Sequence, residues 1–211
     1  MTQALKDYEG LAEDGIIEKW FSKESLENGI IKTEDLINKL NLDNLYREKF
    51  EKDLQDKINM SKDLIKNFDF EIIKKMTIMN SHGDYSVQQL IYKDNGETTV
   101  IDFETAKKLP IIWEVMRSYS YIDEKAKNGE LHIDTLEEYV KEFENYVPLN
   151  EYDLKYAAQL YLIQIVSSTF GYKQYNDNYA KTELLEFALF RTNLCRYLYN
   201  NLEKISARLQ E

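Results

Sequence analysis

Cysteine, proline and glycine are all scarce in this chain of 211 residues, which contains 1 cysteine, 2 prolines and 7 glycines. A single cysteine excludes a disulfide within one chain, as is typical of proteins in a reducing cytoplasm. That residue, Cys195, lies in an apolar helical pattern, so we expect a buried small side chain rather than a nucleophile. The shortage of proline and glycine predicts a mainly helical fold with few loops.

Positive charge and long apolar runs are also lacking. The chain has 27 lysines and arginines against 38 aspartates and glutamates, which gives a net charge of −11. This charge disfavours nucleic acid and anionic membranes as partners, because both bind proteins through lysine and arginine. It is compatible with a cationic small-molecule substrate, or simply with a solvated acidic surface. Because no stretch approaches a transmembrane helix in length and no secretory apolar segment opens the sequence, we expect a cytoplasmic protein.

The most informative part of the sequence is a pair of aspartates that flank a predicted β-hairpin. Asp84 follows a His-Gly pair in a tight loop, and Asp102 stands at the end of the second strand. The predicted strands are residues 88–92 and 98–101. Between them, the Asn-Gly pair at 95–96 is expected to supply the positive φ angles of a tight hairpin turn. The hairpin therefore brings two carboxylates to one edge of a small sheet.

This arrangement suits phosphoryl transfer. The reaction needs one carboxylate near the attacking hydroxyl and another that holds Mg²⁺ against the nucleotide phosphates. Asp84 and Asp102 are candidates for these two tasks. Mg²⁺ prefers oxygen ligands and usually takes only one or two protein carboxylates. Gln89, at the start of the first strand, offers a further amide oxygen.

The order of these residues resembles the aminoglycoside phosphotransferase and choline kinase-like superfamily, which has the protein-kinase-like fold. The resemblance lies in the segment from His82 to Asp84, in Gln89 five residues after the aspartate, and in an Asp-Phe pair at 102–103 after the hairpin. The superfamily's catalytic loop is His-Gly-Asp, four variable residues and Asn, and its metal-binding segment begins Asp-Phe. Gln89 departs from the expected Asn and is one methylene longer.

The resemblance implies a role for each of the matching positions. Asp84 would be the catalytic base, and Gln89 and Asp102 would be the Mg²⁺ ligands. Glu114 could brace the catalytic loop, as an acidic residue at about this place does in the superfamily, or be a surface glutamate. His82, Gly83 and Phe103 would shape the catalytic loop. Glu104 would be an accessory residue near the metal.

The resemblance also implies a division of the chain. Residues 33–211 would form a kinase-like C-terminal lobe, with the catalytic loop and metal hairpin at 81–106 and a helical subdomain at 107–211. Residues 1–32 would be a helical segment left over from the region between two lobes. No glycine-rich phosphate loop and no strand with an ATP-binding lysine is visible, so we expect this sequence to lack the N-terminal β-lobe. We expect a fragment of a longer protein, with a naturally short protein as the alternative.

Helical patterns fill most of the remaining sequence. Thr33, followed by Glu34 and Asp35, predicts the start of a helix. Apolar residues every four positions from Tyr46 to Ile58 predict a long amphipathic helix, and Pro110 predicts a helix start. Acidic residues and tyrosines of the C-terminal helices could line a cationic substrate site. The acidic residues are Glu124, Glu137, Glu138 and Glu142.

Three interpretations of function follow. The first is an ATP- or GTP-dependent kinase that phosphorylates a hydroxyl group of a small molecule with the help of Mg²⁺. The second is a non-catalytic kinase-like module or protein-binding scaffold that lacks the nucleotide-binding lobe. The third is a chance occurrence of the motif in a generic helical protein, which the agreement of two segments, their spacing and the hairpin disfavours.

Overall fold

The computed structural model describes residues 5, 7–9, 11, 15–41 and 43–211. The predicted N-terminal segment, residues 1–32, therefore lies partly outside the described residues. The described chain is mainly helical with a small amount of antiparallel β-structure, which confirms the coarse prediction of fold class.

Eight α-helices are described. They are α1 (Ile16–Phe21), α2 (Lys23–Asn38), α3 (Arg47–Asn67), α4 (Ile111–Ile122), α5 (Ile133–Glu144), α6 (Glu151–Val166), α7 (Tyr172–Asp177) and α8 (Thr182–Leu209). Short 3₁₀ helices cover Phe70–Lys75, Val87–Gln89, Phe103–Thr105 and Glu124–Asn128. The predicted long helix with apolar residues every four positions corresponds to α3, which buries Phe50, Leu54 and Ile58 along one face.

Four short strands form two separate antiparallel pairs: β1 (Ile78–Ser81) with β4 (Lys107–Pro110), and β2 (Leu90–Tyr92) with β3 (Thr98–Val100). The β2–β3 hairpin was predicted, but the turn differs from the expected one. Gly96 has a φ of +83°, whereas Asn95 is not among the residues with positive φ. A two-residue turn of the predicted kind needs positive φ at both positions, so the chain uses a longer loop in which the Lys93 N–H donates to the Glu97 carbonyl at 2.8 Å.

The predicted helix start at Thr33 is wrong. Thr33 lies inside α2 and is buried, and its hydroxyl donates to the Gly29 carbonyl at 2.7 Å. A threonine in a helix can satisfy its hydroxyl in this way, four residues back, so the same residue type suits both a cap and an interior position. The actual cap is Ser22, whose side-chain oxygen accepts from the Ser25 N–H. The division predicted between residues 32 and 33 therefore falls within one helix.

The core of the described chain is built around α6, which is buried on nearly every side. Its N-terminus is capped by Asn150, and Asp153 completes a capping box. The buried Asp153 carboxylate also accepts from the backbone N–H and the hydroxyl of Thr77, at 3.0 and 2.5 Å. These bonds fix the residue that precedes β1, and so they position the strand that leads into the His-Gly-Asp loop.

The apolar core has two clusters. The larger one surrounds α4 and α6, and the smaller one lies between α2, α3, α7 and the first turns of α8. Cys195 is buried and belongs to the larger cluster, as predicted. No helix of the described part of the chain combines the length and apolar character needed to cross a membrane.

Candidate active site

The His-Gly-Asp loop begins where β1 ends. Ser81, the last residue of β1, pairs with Lys107, the first residue of β4, so the loop lies beside the segment that connects Asp102 to β4. The Thr105 hydroxyl donates to the His82 carbonyl at 3.1 Å. Gly83 has a φ of +81°, and a Cβ on it would stand 2.2 Å from the Thr105 carbonyl oxygen. Only glycine fits here, because both the backbone angle and the close approach exclude a side chain.

Glu114 is buried beneath this loop, with 3% of its surface exposed, so the surface interpretation of this residue is wrong. Its carboxylate accepts from the His82 N–H at 3.0 Å and from the Gly83 N–H at 2.6 Å. Burial raises the pKa of the Glu114 carboxyl, and the two backbone hydrogen bonds act against that rise. Glu114 thus satisfies two consecutive buried N–H groups and fixes the backbone just before Asp84.

The His82 ring links the loop to the segment around Asp102. Its Nε2 atom lies 2.8 Å from the Ile101 carbonyl, and a carbonyl can only accept, so Nε2 donates. The ring packs against Phe103, with centroids 4.7 Å apart, although Phe103 is itself 42% exposed. His82 is fully buried and contacts no solvent. Its position suits a role in holding the loop and Ile101 together.

Asp84 stands at the edge of a cavity with its side chain 41% exposed. One carboxylate oxygen, Oδ1, is paired with the Arg117 guanidinium, which also donates to the Tyr85 carbonyl at 3.1 Å. The other oxygen, Oδ2, lies 3.4 Å from the Gln89 side-chain nitrogen, a long hydrogen bond. Arg117 thus fixes the carboxylate while Oδ2 keeps only a weak partner.

Asp102 and Gln89 lie at the same end of the β2–β3 hairpin. The Ile101 N–H, next to Asp102, donates to the Gln89 carbonyl at 3.0 Å. Asp102 is in the left-handed region, with φ +66°, and is the only residue other than glycine with positive φ in the described chain. Such a conformation is strained for most residues but is tolerated by aspartate, and it turns the chain sharply at the end of the hairpin.

The oxygen atoms at this end of the hairpin have the right chemistry for Mg²⁺. Asp102 is exposed, and no side chain in the described part of the chain hydrogen-bonds to it. The Gln89 amide oxygen is engaged by the Ser86 hydroxyl. Among described residues there is no cluster of three or more histidine, cysteine or acidic side chains that could hold a metal. A hard cation held by one carboxylate, one amide oxygen and further oxygens from a bound ligand would fit this sparse set.

Glu104 is exposed in the 3₁₀ turn after Asp102. The four glutamates expected to line a cationic substrate site do not gather beside Asp84. Glu142 lines a different cavity, of about 250 Å³, which Tyr85 also lines. Glu124 and Glu138 line a third cavity together with His132. Glu137 is paired with Lys141 and Arg208. None of the four lines the cavity that contains Asp84.

That cavity, of about 310 Å³, contains residues that sequence reasoning did not select. Arg117 could have been found, because it lies three residues after Glu114 on the same face of α4. Trp20 and Arg191 come from α1 and α8, and no local pattern in the sequence connects them to Asp84. Their arrival at one cavity is a result of tertiary packing.

Comparison with known proteins adds no family assignment. No protein-family model matches the chain. No curated protein matches it at a significant level. The similarity of residues 82–84 and 102–103 to the aminoglycoside phosphotransferase and choline kinase-like motifs is therefore a resemblance of short motifs and no more.

Proposed function

We propose that this chain carries the catalytic base and the magnesium ligands of an ATP- or GTP-dependent phosphotransferase that acts on a hydroxyl group of a small molecule. The observation that supports the proposal is the convergence of Asp84, Gln89 and Asp102. Gln89 contacts Asp84 through its side chain and the residue before Asp102 through its backbone. We propose the C-terminal lobe of the protein-kinase-like fold as the architecture.

In the proposed reaction, Asp84 orients the acceptor hydroxyl and takes its proton. The acceptor oxygen forms a bond to the γ-phosphorus while the bond from that phosphorus to the leaving diphosphate oxygen breaks. Arg117 holds Oδ1, which leaves Oδ2 as the oxygen that faces the acceptor. Glu114 contributes by fixing the backbone N–H groups before Asp84, so that the carboxylate is held in place before substrate binds.

Asp102 and Gln89 are the residues that would hold Mg²⁺ in this proposal. The bound ion would neutralise charge on the nucleotide phosphates. Glu104 and Phe103 would support this segment, the first as a nearby carboxylate and the second through its contact with the His82 ring. We also propose a cytoplasmic location, which the buried free thiol of Cys195 supports.

The proposal is tested by two variants with one matched control. Asp102→Asn should abolish Mg²⁺-dependent binding of ATP and GTP, measured by calorimetry. Asp84→Asn should keep that binding but lower turnover by about 10²–10⁴-fold, the usual contribution of a general base. Asp94→Asn, in the exposed hairpin turn, makes the same charge change and should alter neither quantity. Unchanged Mg²⁺-dependent nucleotide binding in Asp102→Asn would overturn the metal role.

A second candidate function is a non-catalytic kinase-like module. It is favoured by the pairing of Asp84 with Arg117 and by the engagement of the Gln89 amide oxygen by Ser86. Both contacts occupy atoms that catalysis would use. If the full-length protein binds neither ATP nor GTP in the presence of Mg²⁺, this second candidate replaces the first.

A further inference from the structure

The cavity beside Asp84 is cationic, although the whole chain has a net charge of −11. Three of its lining side chains carry a formal charge: Asp84, Arg117 and Arg191. Arg117 is neutralised by its ion pair with Asp84. Arg191 has no ion pair among the described residues, so no described carboxylate balances its charge.

Arg191 is also short of hydrogen-bond partners. Its only described hydrogen bond is from Nη2 to the Gln164 side-chain oxygen, at a long 3.5 Å. Its Nε atom is buried and has no partner in the described chain. The guanidinium packs on the Phe187 ring, 5.4 Å from the centroid, which holds it in place without satisfying its N–H groups. A buried donor without an acceptor is costly, and it calls for an explanation.

Trp113 provides a second donor of the same kind. It lines the same cavity, is 1% exposed, and its indole Nε1 atom has no partner among the described residues. Two buried N–H donors without acceptors therefore belong to residues of one cavity. A ligand with several acceptor oxygens, above all an anionic one, would accept hydrogen bonds from these two N–H groups.

Most of the rest of the cavity wall is aromatic. Trp20 and Trp113 lie with ring centroids 5.2 Å apart, and the Lys107 ammonium lies 5.3 Å from the Trp20 centroid. Such walls bind flat or apolar groups and are most effective when a few polar groups fix the orientation. The remaining aromatic residues of the lining are Tyr121, Tyr161, Phe170 and Phe187.

We propose that this cavity is the acceptor site and that it takes a small hydroxylated organic acid with an apolar or aromatic body. The anionic group, a carboxylate or a phosphate monoester, would lie at Arg191 and the hydroxyl at Asp84. This inference rests on the proposed phosphotransferase function and names its substrate class. It replaces the expected cationic acceptor, because a cationic group here would face Arg117 and Arg191, while the expected glutamates line other surfaces.

The chain offers a direct binding signal, because its only two tryptophans both line this cavity. We would titrate the protein with four probes and follow tryptophan emission, excited selectively over tyrosine. The probes share a benzyl alcohol body and differ in the para group: 4-(hydroxymethyl)benzoate, 4-(hydroxymethyl)phenyl phosphate, 4-(aminomethyl)benzyl alcohol and benzyl alcohol itself. The anionic probes should bind about tenfold or more tightly than benzyl alcohol, as expected for a charge-assisted hydrogen bond. The anionic probe that binds more tightly shows whether the site prefers a carboxylate or a phosphate monoester.

Arg191→Gln should remove this preference for the anionic probes, whereas Arg191→Lys should keep part of it. Lys181→Gln lowers the net charge equally at an exposed position outside the cavity and should keep the preference in full. The comparison of the four probes on the wild-type chain tests the proposal even if an Arg191 variant fails to fold. Tighter binding of the cationic probe, or no difference between the probes, would overturn it.

The outcome is separable from that of the phosphotransferase proposal. A chain that binds the anionic probes but transfers no phosphate would keep the cavity assignment and lose the reaction. A chain that phosphorylates alcohols bearing an amine in preference to alcohols bearing an acid group would keep the reaction and lose this inference. Competitive displacement of the benzoate probe by ATP with Mg²⁺ would mean that the cavity holds the nucleotide, which would also overturn the acceptor assignment.

Discussion

Glu114 is the residue that most directly connects sequence to site. Two consecutive N–H groups, of His82 and Gly83, point into the protein interior and need two acceptors. Each would cost about 1–3 kcal/mol if it were left unsatisfied. A carboxylate supplies two acceptor oxygens in one side chain, which explains why an acidic residue is buried here although burial raises its pKa.

Gly83 is a residue at which even an added methyl group should be destabilising. Gly83→Ala should lower the free energy of unfolding by about 1–2 kcal/mol for the left-handed backbone and by about a further 1–3 kcal/mol for the clash. The clash arises because the new Cβ would stand 2.2 Å from the Thr105 carbonyl oxygen. Urea denaturation of both proteins measures the difference.

Gly96 is a matched control for this prediction. Its φ of +83° is nearly the same as that of Gly83, but a Cβ on it would meet nothing within 4 Å. Gly96→Ala should therefore show the backbone cost without the clash. If the two alanine variants lose equal stability, the close approach of Gly83 to Thr105 contributes nothing.

Within single helices and hairpins, the spacing of residues in the sequence predicted the structure, because contacts between neighbouring residues determine it. The four-residue spacing of α3 and the turn residues of the β2–β3 hairpin are properties of neighbouring positions, and both elements are present. The β1–β4 pair was not predicted, because its strands are only four residues each and lie far apart in the sequence. The buried contact between Lys57 and α6 was not predicted either, since lysine on an amphipathic helix normally faces solvent.

Lys57 connects α3 and α6 through its buried ammonium group. It lies on α3, is 2% exposed, and its ammonium donates to the Ile165 carbonyl near the C-terminus of α6 at 3.1 Å. Burial lowers the pKa of Lys57 to about 8, with Arg191 and Arg196 acting in the same direction and Asp53 and Cys195 against it. The carbonyl end of a helix favours a nearby positive charge, but it does not offset the cost of burial here.

The lowered pKa of Lys57 predicts how stability depends on pH. Between pH 8 and the ordinary lysine value of 10.5, the unfolded state binds more protons than the folded state, so stability should rise with pH. Below pH 8 both states are protonated and the effect is absent. Relative to Lys57→Met, the wild-type chain should gain about 2 kcal/mol between pH 8 and 9.5, measured by urea denaturation at each pH.

The comparison with Lys57→Met removes the tyrosine titrations that both proteins share. Lys52→Met, at an exposed position on the same helix, is the control and should follow the pH dependence of the wild-type chain. A parallel pH dependence of the wild-type chain and Lys57→Met would show that Lys57 titrates normally in the folded protein.

At the scale of the whole molecule, the cavity beside Asp84 shows what sequence patterns cannot reach. Its lining draws on α1, α4, α6 and α8 as well as on the His-Gly-Asp loop. Net charge suggested a cationic ligand, because composition averages over the whole surface. The distribution of charge matters more, since Arg191 has no carboxylate partner among the residues that the structure describes, although the chain as a whole is acidic. Only the packing of distant helices brings that arginine to the same cavity as Asp84.

The two core clusters are joined because the same helices serve both. α3 contributes to the smaller cluster with its first half and to the larger cluster with its second half, and α8 does the same. A buried network reinforces the connection: Arg196 of α8 donates to Asp53 of α3 at 2.6 Å, and the Tyr172 hydroxyl donates to the same aspartate at 2.9 Å. Unfolding of α3 or α8 would therefore expose apolar residues of both clusters.

This sharing predicts that the described core unfolds in one cooperative transition. Both tryptophans, Trp20 and Trp113, pack in the larger cluster, whereas far-ultraviolet circular dichroism reports on all helices. In urea, the two signals should give the same midpoint, as two-state unfolding requires. Asp53→Asn should lower both midpoints together, since it leaves Arg196 with one fewer partner and weakens the contact between α3 and α8. A lower urea midpoint by circular dichroism than by tryptophan emission would contradict this prediction. It would mean that helices around the smaller cluster unfold while the larger cluster, which holds both tryptophans, stays folded.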